Sequence, residues 1–327
     1  MTNIVDQALT AWSLTPPWTI EPISIGTNNQ SAAVACADGR FMLHISETPH
    51  SADQVLGVHT LLTQLAGMNL SFQVPVPIPA RDGSTVVDVP GEGGGLASLC
   101  RFIPGSHPDP GDISMTMRCG AALAELHEAL AQLMPAPTIE TPDQLGRVDG
   151  VHPLVPEPRQ LLANLPNDAA IRARSMAILD RLEGTVEFLV ESGPPQLIHG
   201  DLYPSNVLVQ DGTVSGILDF EFVLTGPPIV DVAIGLHAFA ISRRTERDPM
   251  PVMRAFIEGY RQHRQLAGGD LRLLSTCVLL REMRSLIYRG GRWRQGLTTE
   301  EDVARRAIAL VNLADWVNAQ SPDLGLH

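Results

Sequence analysis

Along the first hundred residues, apolar and polar positions alternate in short runs separated by turn-forming residues. The runs "WTIEPISIG", "SAAVACADGRFMLHIS" with its Asp38-Gly39 turn, "DGSTVVDVP" and "LASLCRFI" read as strands, because successive strand side chains point to opposite faces. One stretch departs from the alternation. In "ADQVLGVHTLLTQLAG", Val55, Val58, Leu62 and Leu65 recur at helical spacing on one face. The pattern predicts a small antiparallel sheet with one helix.

After "IPGSHPDPGD", whose prolines and glycines forbid continuous regular structure, the period changes from strand to helix. Leu123, Leu126, Leu130 and Leu133 mark an amphipathic helix with Asp112 placed to cap its start. A Pro-rich connection from Pro135 to Pro158 leads to a further helical stretch reaching about Val190. Beyond a short strand pair, helices are expected near 229–241, 249–263, 270–288 and 299–319, the last opening with a Thr298/Glu301 capping-box pattern. The change of period near residues 100–110 divides the chain into a first lobe, 1–103, and a second, 104–327.

Composition narrows the classes. A length of 327 residues suits two lobes, each with its own core. No apolar stretch approaches the roughly 20 residues that a membrane-spanning helix needs. The start, "MTNIVDQALTAWSLTPPW", lacks a basic region followed by a hydrophobic core, so no signal peptide is read and a soluble, cytoplasmic protein is expected. Cys36, Cys100, Cys119 and Cys277 form no paired spacing and are expected as small core residues rather than disulfides or zinc ligands. The charge balance, 23 − 36 = −13, works against nucleic-acid binding. Every basic residue is an arginine, so no lysine is available for chemistry.

The densest chemistry lies in "LIHGDLYPSNVLVQDGTVSGILDF", residues 197–220. His199, Asp201 and Asn206 stand in the spacing H-x-D-x-x-x-x-N. An Asp-Gly turn at 211–212 returns a second strand that ends at Asp219. Such a hairpin puts Asn206 at the entrance of one strand and Asp219 at the exit of its neighbour, where both side chains reach the same point. Hard cations such as Mg²⁺ take oxygen ligands of this kind and keep waters while bridging substrate phosphates. A carboxylate five residues before the Asn can accept the proton of an attacking hydroxyl. Taken singly, Asp and Asn near turns are mostly turn-formers; it is the joint pattern that points to phosphoryl transfer.

The segment resembles the catalytic and metal-binding region of the protein-kinase-like small-molecule kinases: the aminoglycoside phosphotransferase, homoserine kinase type II and choline kinase superfamily. The resemblance implies a two-lobed α+β fold, with a small antiparallel-sheet N-lobe and a larger, mainly helical C-lobe. It implies ATP and Mg²⁺ as cofactors, a small-molecule hydroxyl acceptor, and no nucleic-acid or membrane partner. Asp201 would be the catalytic base, His199 a buried support of its loop, Asn206 and Asp219 the Mg²⁺ ligands, and Asp231 of "GPPIVDVAIGL" a residue steadying the loop. "ISIGTNNQSAAV" occupies the place of the nucleotide-phosphate loop, which brings in Gly26 and Asn29. "LASLCRFIPG" resembles the hinge strand, whose backbone from Cys100 to Phe102 would meet the adenine. "AALAELHEAL" resembles the first C-lobe helix, in which His127 reads as a packed residue.

Two positions depart from the family pattern. Where a Lys or Arg usually holds the nucleotide phosphates, "FMLHIS" has His44; where a Glu usually orients that cation, "LGVHTLL" offers Val58 or His59. His44 therefore reads either as a substitute phosphate ligand, only partly cationic with an ordinary pKa of about 6.5, or as a half-buried strand residue. Two functions compete accordingly: an ATP-dependent kinase of a small-molecule hydroxyl, or a catalytically weak or inactive nucleotide-binding protein with a regulatory role. The acidic balance and Glu221 suit an amine-bearing acceptor such as an aminoglycoside or amino alcohol. A homoserine-like acceptor adds a carboxylate, for which Arg281, Arg284 or Arg289 is available unless these form a salt-bridged face.

Overall fold

The computed structural model describes residues 2–23, 29–46, 52–91, 95–133, 148–183, 196–266, 268–321 and 323–326. They fall into two compact units, one built mainly from Met1–Pro108 and Ser205–Glu221, the other mainly from Asp109–Gln132, Thr141–Pro204 and Phe222–His327. The fold is the two-lobed α+β class anticipated above.

In the first unit, β1 (Thr19–Ile23), β2 (Asn29–Cys36), β3 (Gly39–Ser46), β4 (Val87–Val89) and β5 (Gly95–Arg101) form one antiparallel sheet in the order β1-β2-β3-β5-β4. Alternation in β3 buries Phe41, Leu43 and Ile45 while His44 and Ser46 stay half-buried on the opposite face. The buried face is covered from α1 (Thr2–Leu9) and the turn after it, through Val5, Leu9 and Trp12. The sequence pattern does not predict this helix, since its eight residues give too short a periodic signal. The expected helix is α2 (Ala52–Ala66), but its face is turned: Leu61, Leu62, Leu65 and His59 are buried, whereas Val55 and Val58 are only half-buried.

The hairpin of β7 (Val207–Gln210) and β8 (Thr213–Ile217) belongs to this unit. Its turn has φ of 50° at Asp211 and 74° at Gly212, the pair of positive angles that matches the twist of a two-residue hairpin. Backbone bonds fix it on both sides: Val209 N donates to Ser106 O at 2.8 Å, and Ile217 N to Gln73 O at 3.0 Å.

The second unit is helical. Its elements are α3 (Ile113–Ala131), α4 (Pro158–Ala163), α5 (Ala169–Glu183), α6 (Ile229–Phe239), α7 (Met250–Arg261), the single turn α8 (Gly268–Leu271), α9 (Leu274–Arg294) and α10 (Glu300–Asn318). One antiparallel pair, β6 (Gln196–Ile198) with β9 (Leu224–Gly226), accompanies them. Asp112 caps α3 by accepting from Met115 N at 3.0 Å, and Leu123, Leu126 and Leu130 are fully buried. Leu133 lies past the end of this helix and is half-buried. α3 and α7 touch backbone to backbone: a Cβ on Gly259 would come within 1.8 Å of Met117 O, so no larger residue fits that crossing.

The cap of α10 is one residue later than the sequence pattern suggested: Thr299 accepts from Asp302 N, while Thr298 Oγ1 donates to the Asp302 carboxylate at 3.1 Å. Cys100, Cys119 and Cys277 are buried free thiols and Cys36 is half-buried, and burial pushes the Cys100 thiol up to about 12. Among the described residues, no helix is long and apolar enough to cross a membrane.

Candidate active site

The loop that carries Asp201 is held from beneath by one carboxylate. Asp231, on the first turn of α6 and fully buried, accepts from His199 N at 2.6 Å and from Gly200 N at 2.7 Å. Its Oδ2 also faces His127 Nε2 at 3.0 Å, and His127 Nδ1 meets Tyr260 Oη at 2.8 Å. Burial, the largest influence, lowers the His127 pKa against the opposing pull of Asp231, so the ring is neutral at pH 7. A neutral ring that donates from Nε2 to the carboxylate accepts the tyrosine hydroxyl at Nδ1; this tautomer is assigned from the network.

The loop's path is fixed by Gly200. Its φ is 81°, and a Cβ there would fall 2.2 Å from Phe222 O. Only glycine satisfies both conditions. His199 is fully buried, and its Nδ1 accepts from Asp201 N at 3.2 Å, so the residue before the glycine orients the backbone of the candidate base itself.

In the other unit, the hairpin brings the two expected metal ligands to adjacent strand ends. Leu218 N donates to Asn206 O at 2.8 Å, closing the ladder immediately before Asp219. Asp219 adopts a φ of 63°, a left-handed conformation that an Asp tolerates better than most residues. Among the described residues no group of three or more His, Cys, Asp or Glu gathers as a metal cage. An amide and a carboxylate oxygen fit a cation that keeps water and substrate oxygens, as Mg²⁺ does, and do not fit a closed zinc site. Asn206 and Asp219 would hold such an ion, which when bound supplies positive charge to phosphate oxygens. Glu221, itself half-buried, follows on the turn Phe220–Phe222.

Of the residues expected to meet a nucleotide, not all lie among those described. Gly26 lies outside the described residues; Asn29 opens β2 opposite Ser46. In the strand expected to be the hinge, Cys100 pairs with Met42 across the sheet. Phe102 N donates to Arg40 O at 3.0 Å and the Arg40 guanidinium lies 4.0 Å over the Phe102 ring, which leaves that N–H occupied.

His44 Nδ1 is 2.9 Å from Ser31 Oγ, and His59 Nδ1 is 2.8 Å from Thr85 Oγ1. Burial pushes His44 down to about 4; burial and then the charge of His44 do the same to His59. Where the family pattern has an ion pair, this chain has two imidazoles that are neutral at pH 7.

The arginines of α9 divide. Arg289 pairs with Asp302 at 3.6 Å, in the salt-bridged manner. Arg281 Nη1 lies 2.7 Å from the buried Glu282 carboxylate, and its guanidinium stands 4.9 Å from the Tyr203 ring centre. Arg284, one turn on, is half-buried, and burial lowers its pKa. Two partners escaped the sequence reading, His127 as a ligand of Asp231, and Glu282. The available signal was a polar residue on each buried helix face, which demands a partner.

A helical unit presenting a clamped acidic loop, and a sheet unit carrying an Asn/Asp hairpin, define a kinase-like small-molecule phosphotransferase. The model of the phosphotransferase enzyme family matches residues 19–268, more than half of the chain, and the protein belongs to that family.

Among curated relatives, the homoserine kinase of Acidiphilium cryptum (strain JF-5) is 26% identical over 299 residues, covering 89% of this chain and 88% of the relative. Among solved structures, a microcompartment-associated aminopropanol kinase superposes with a TM-score of 0.76 at 21% identity, covering both chains completely. The amicoumacin kinase hAmiN, solved with AMP-PNP, Ca²⁺ and Ami, superposes with a TM-score of 0.71 at 17% identity, covering 100% of this chain and 95% of its own.

Proposed function

We propose that the protein transfers the γ-phosphoryl group of ATP, with Mg²⁺, to the hydroxyl of a small amino alcohol or hydroxy amino acid. Asp201 accepts the hydroxyl proton, Asn206 and Asp219 hold the metal, and Asp231 with His199 keeps the Asp201 loop in place. The observation that carries this reading is the clamp on that loop: a fully buried carboxylate takes both backbone N–H groups preceding the candidate base. A buried charge is costly unless fully paired, and this one is spent on a loop whose outward product is Asp201. The homoserine kinase relatives and the aminopropanol kinase likeness support an acceptor of this size.

The test is a coupled ATP-consumption assay over hydroxylated amines, amino acids and aminoglycosides, with wild type and Asp201→Asn. Wild type should turn over at least one acceptor, and the substitution should lower its kcat by about 10²-fold or more, the scale of a lost general base, while Mg·ATP affinity stays within a few-fold. Retention of most of the turnover by Asp201→Asn refutes the base assignment.

The neutral His44 and His59 favour a second reading, a nucleotide-binding protein with little or no transfer activity. A thermal shift with Mg·ATP in the absence of turnover on every acceptor would favour it over the first.

A further inference from the structure

On α9, next to the candidate base's loop, cationic side chains gather around one buried carboxylate. Glu282 is 3% exposed. Its carboxylate lies 2.7 Å from Arg281 Nη1, 3.4 Å from Arg306 Nη1 and 3.4 Å from His237 Nε2. Burial is the largest influence on the Glu282 carboxyl and raises its pKa, but its neighbours, Arg281 first, outweigh it and hold the pKa below the ordinary value. His237 is neutral, its pKa lowered first by burial. Arg244 also acts on Glu282 through its charge, and Asp201 is a second negative charge acting on Arg281.

Arg281 is the member of this cluster that reaches the loop of Asp201. One edge of its guanidinium is fixed by Glu282, and its cationic group stands over the aromatic ring of Tyr203, two residues after Asp201. Asp201 also acts on it electrostatically. Its side chain is 16% exposed, and Glu282 is the only hydrogen-bond acceptor it meets among the described residues. A guanidinium is a fork of five donors that matches a carboxylate in bidentate fashion. Here its orientation is set in advance, and among the described residues part of the fork meets no acceptor.

We propose that Arg281 is a specificity-determining residue that binds a carboxylate on the acceptor, so that the protein selects hydroxy amino acids over amino alcohols lacking the acid. This rests on the phosphotransferase reading above and narrows its acceptor. Glu282, Arg306 and His237 are positioning residues: Glu282 holds the fork, and Arg306 and His237 hold Glu282. The protein's overall charge of −13 gives no general attraction for anionic substrates, so the selection falls to this local group.

Two acceptors that differ only in the acid, L-homoserine and 3-aminopropan-1-ol, test the proposal, with kcat/KM measured for wild type, Arg281→Lys and Arg281→Gln. Wild type should favour homoserine by at least tenfold. Arg281→Gln should cut the homoserine to aminopropanol ratio by at least tenfold, mainly through KM for homoserine, and Arg281→Lys should keep an intermediate ratio. A merely structural role for Arg281 would lower both acceptors equally and leave the ratio unchanged, which overturns the proposal.

A wild-type preference for aminopropanol, or for aminoglycosides over every carboxylated acceptor, also overturns it, while leaving the phosphotransferase reading intact. If no acceptor is phosphorylated, the phosphotransferase reading is what fails. Homoserine binding by calorimetry in the presence of AMP-PNP then decides the carboxylate site separately: binding lost in Arg281→Gln supports it, and binding absent in wild type or unchanged in Arg281→Gln overturns it. Circular dichroism melts on each variant exclude loss of fold as the cause.

Discussion

Asp231→Asn is the most informative single change, because its two oxygens have different duties. Oδ1 receives Gly200 N at 2.7 Å; Oδ2 receives His199 N at 2.6 Å and faces His127 Nε2 at 3.0 Å. An asparagine placed with its oxygen toward Gly200 presents an NH₂ group to the other two partners. His127 can adapt: the neutral ring moves its proton to Nδ1, donates to Tyr260 Oη and accepts the new N–H at Nε2. The backbone N–H of His199 cannot adapt and loses its acceptor in a fully buried position.

An orphaned buried donor costs about 1–3 kcal/mol, and a charge-assisted bond is replaced by a neutral one. The expected destabilisation for Asp231→Asn is therefore about 2–3 kcal/mol. Asp231→Ala strips all three donors and leaves a cavity, so about 3–5 kcal/mol is expected. Urea unfolding of the three proteins measures both, and hydrogen exchange locates the effect, with His199 N–H deprotected and Gly200 N–H still protected in the asparagine variant. Equal losses for Asn and Ala, or a loss below about 0.5 kcal/mol for Asn, would refute the division of labour between the two oxygens. Turnover should fall with the His199 deprotection, since Asp201 N donates to the same residue's ring.

The imidazole pair predicts an acid-labile first unit. His59, 8% exposed, has its folded pKa at about 4 against an unfolded value near 6.5, so the unfolded chain takes up a proton that the folded one refuses. Its stabilising contribution is full above pH 6.5 and is lost as pH falls toward 4, at up to about 1.4 kcal/mol per pH unit. His59→Gln, which can keep a bond to Thr85, should flatten the urea-derived slope between pH 6 and 4.5 by about that amount, and identical slopes would argue against a neutral buried His59. For Asp219→Ala, Mg²⁺-dependent nucleotide binding should weaken by about tenfold or more, because a charged ligand is lost from the cation. Unchanged Mg²⁺ dependence in calorimetry would remove Asp219 from the metal site.

What was legible in the sequence was local. The Asp211-Gly212 hairpin, the Asp112 cap and the Leu123/Leu126/Leu130 stripe each follow from residues within one turn or a few positions of one another, where backbone preference and side-chain period act directly. Where two local solutions were nearly equal, the reading slipped by one step. Thr298 and Thr299 can both open α10, and Asp302 rather than Glu301 meets the threonine that wins. In α2 the apolar positions Val55, Val58, Leu61, Leu62 and Leu65 cover more than one stripe, and packing, not periodicity, chose the stripe that includes His59.

The non-local partnerships were beyond reach for a different reason. His127 and Asp231 are 104 residues apart, and nothing near either says which buried polar group will meet which. His127 lies on the same face as Leu123 and Leu130 and reads as a packed residue; packed it is, but a buried imidazole must also be hydrogen-bonded. The same logic applies to Glu282, flanked by Arg281 in sequence yet shared with His237 and Arg306 from other helices. A carboxylate on a buried helix face can be read from the sequence as needing a cation; that the cation also stands over Tyr203, two residues after Asp201, becomes visible only in the fold, and that placement is what turns a structural ion pair into a candidate reader of the acceptor.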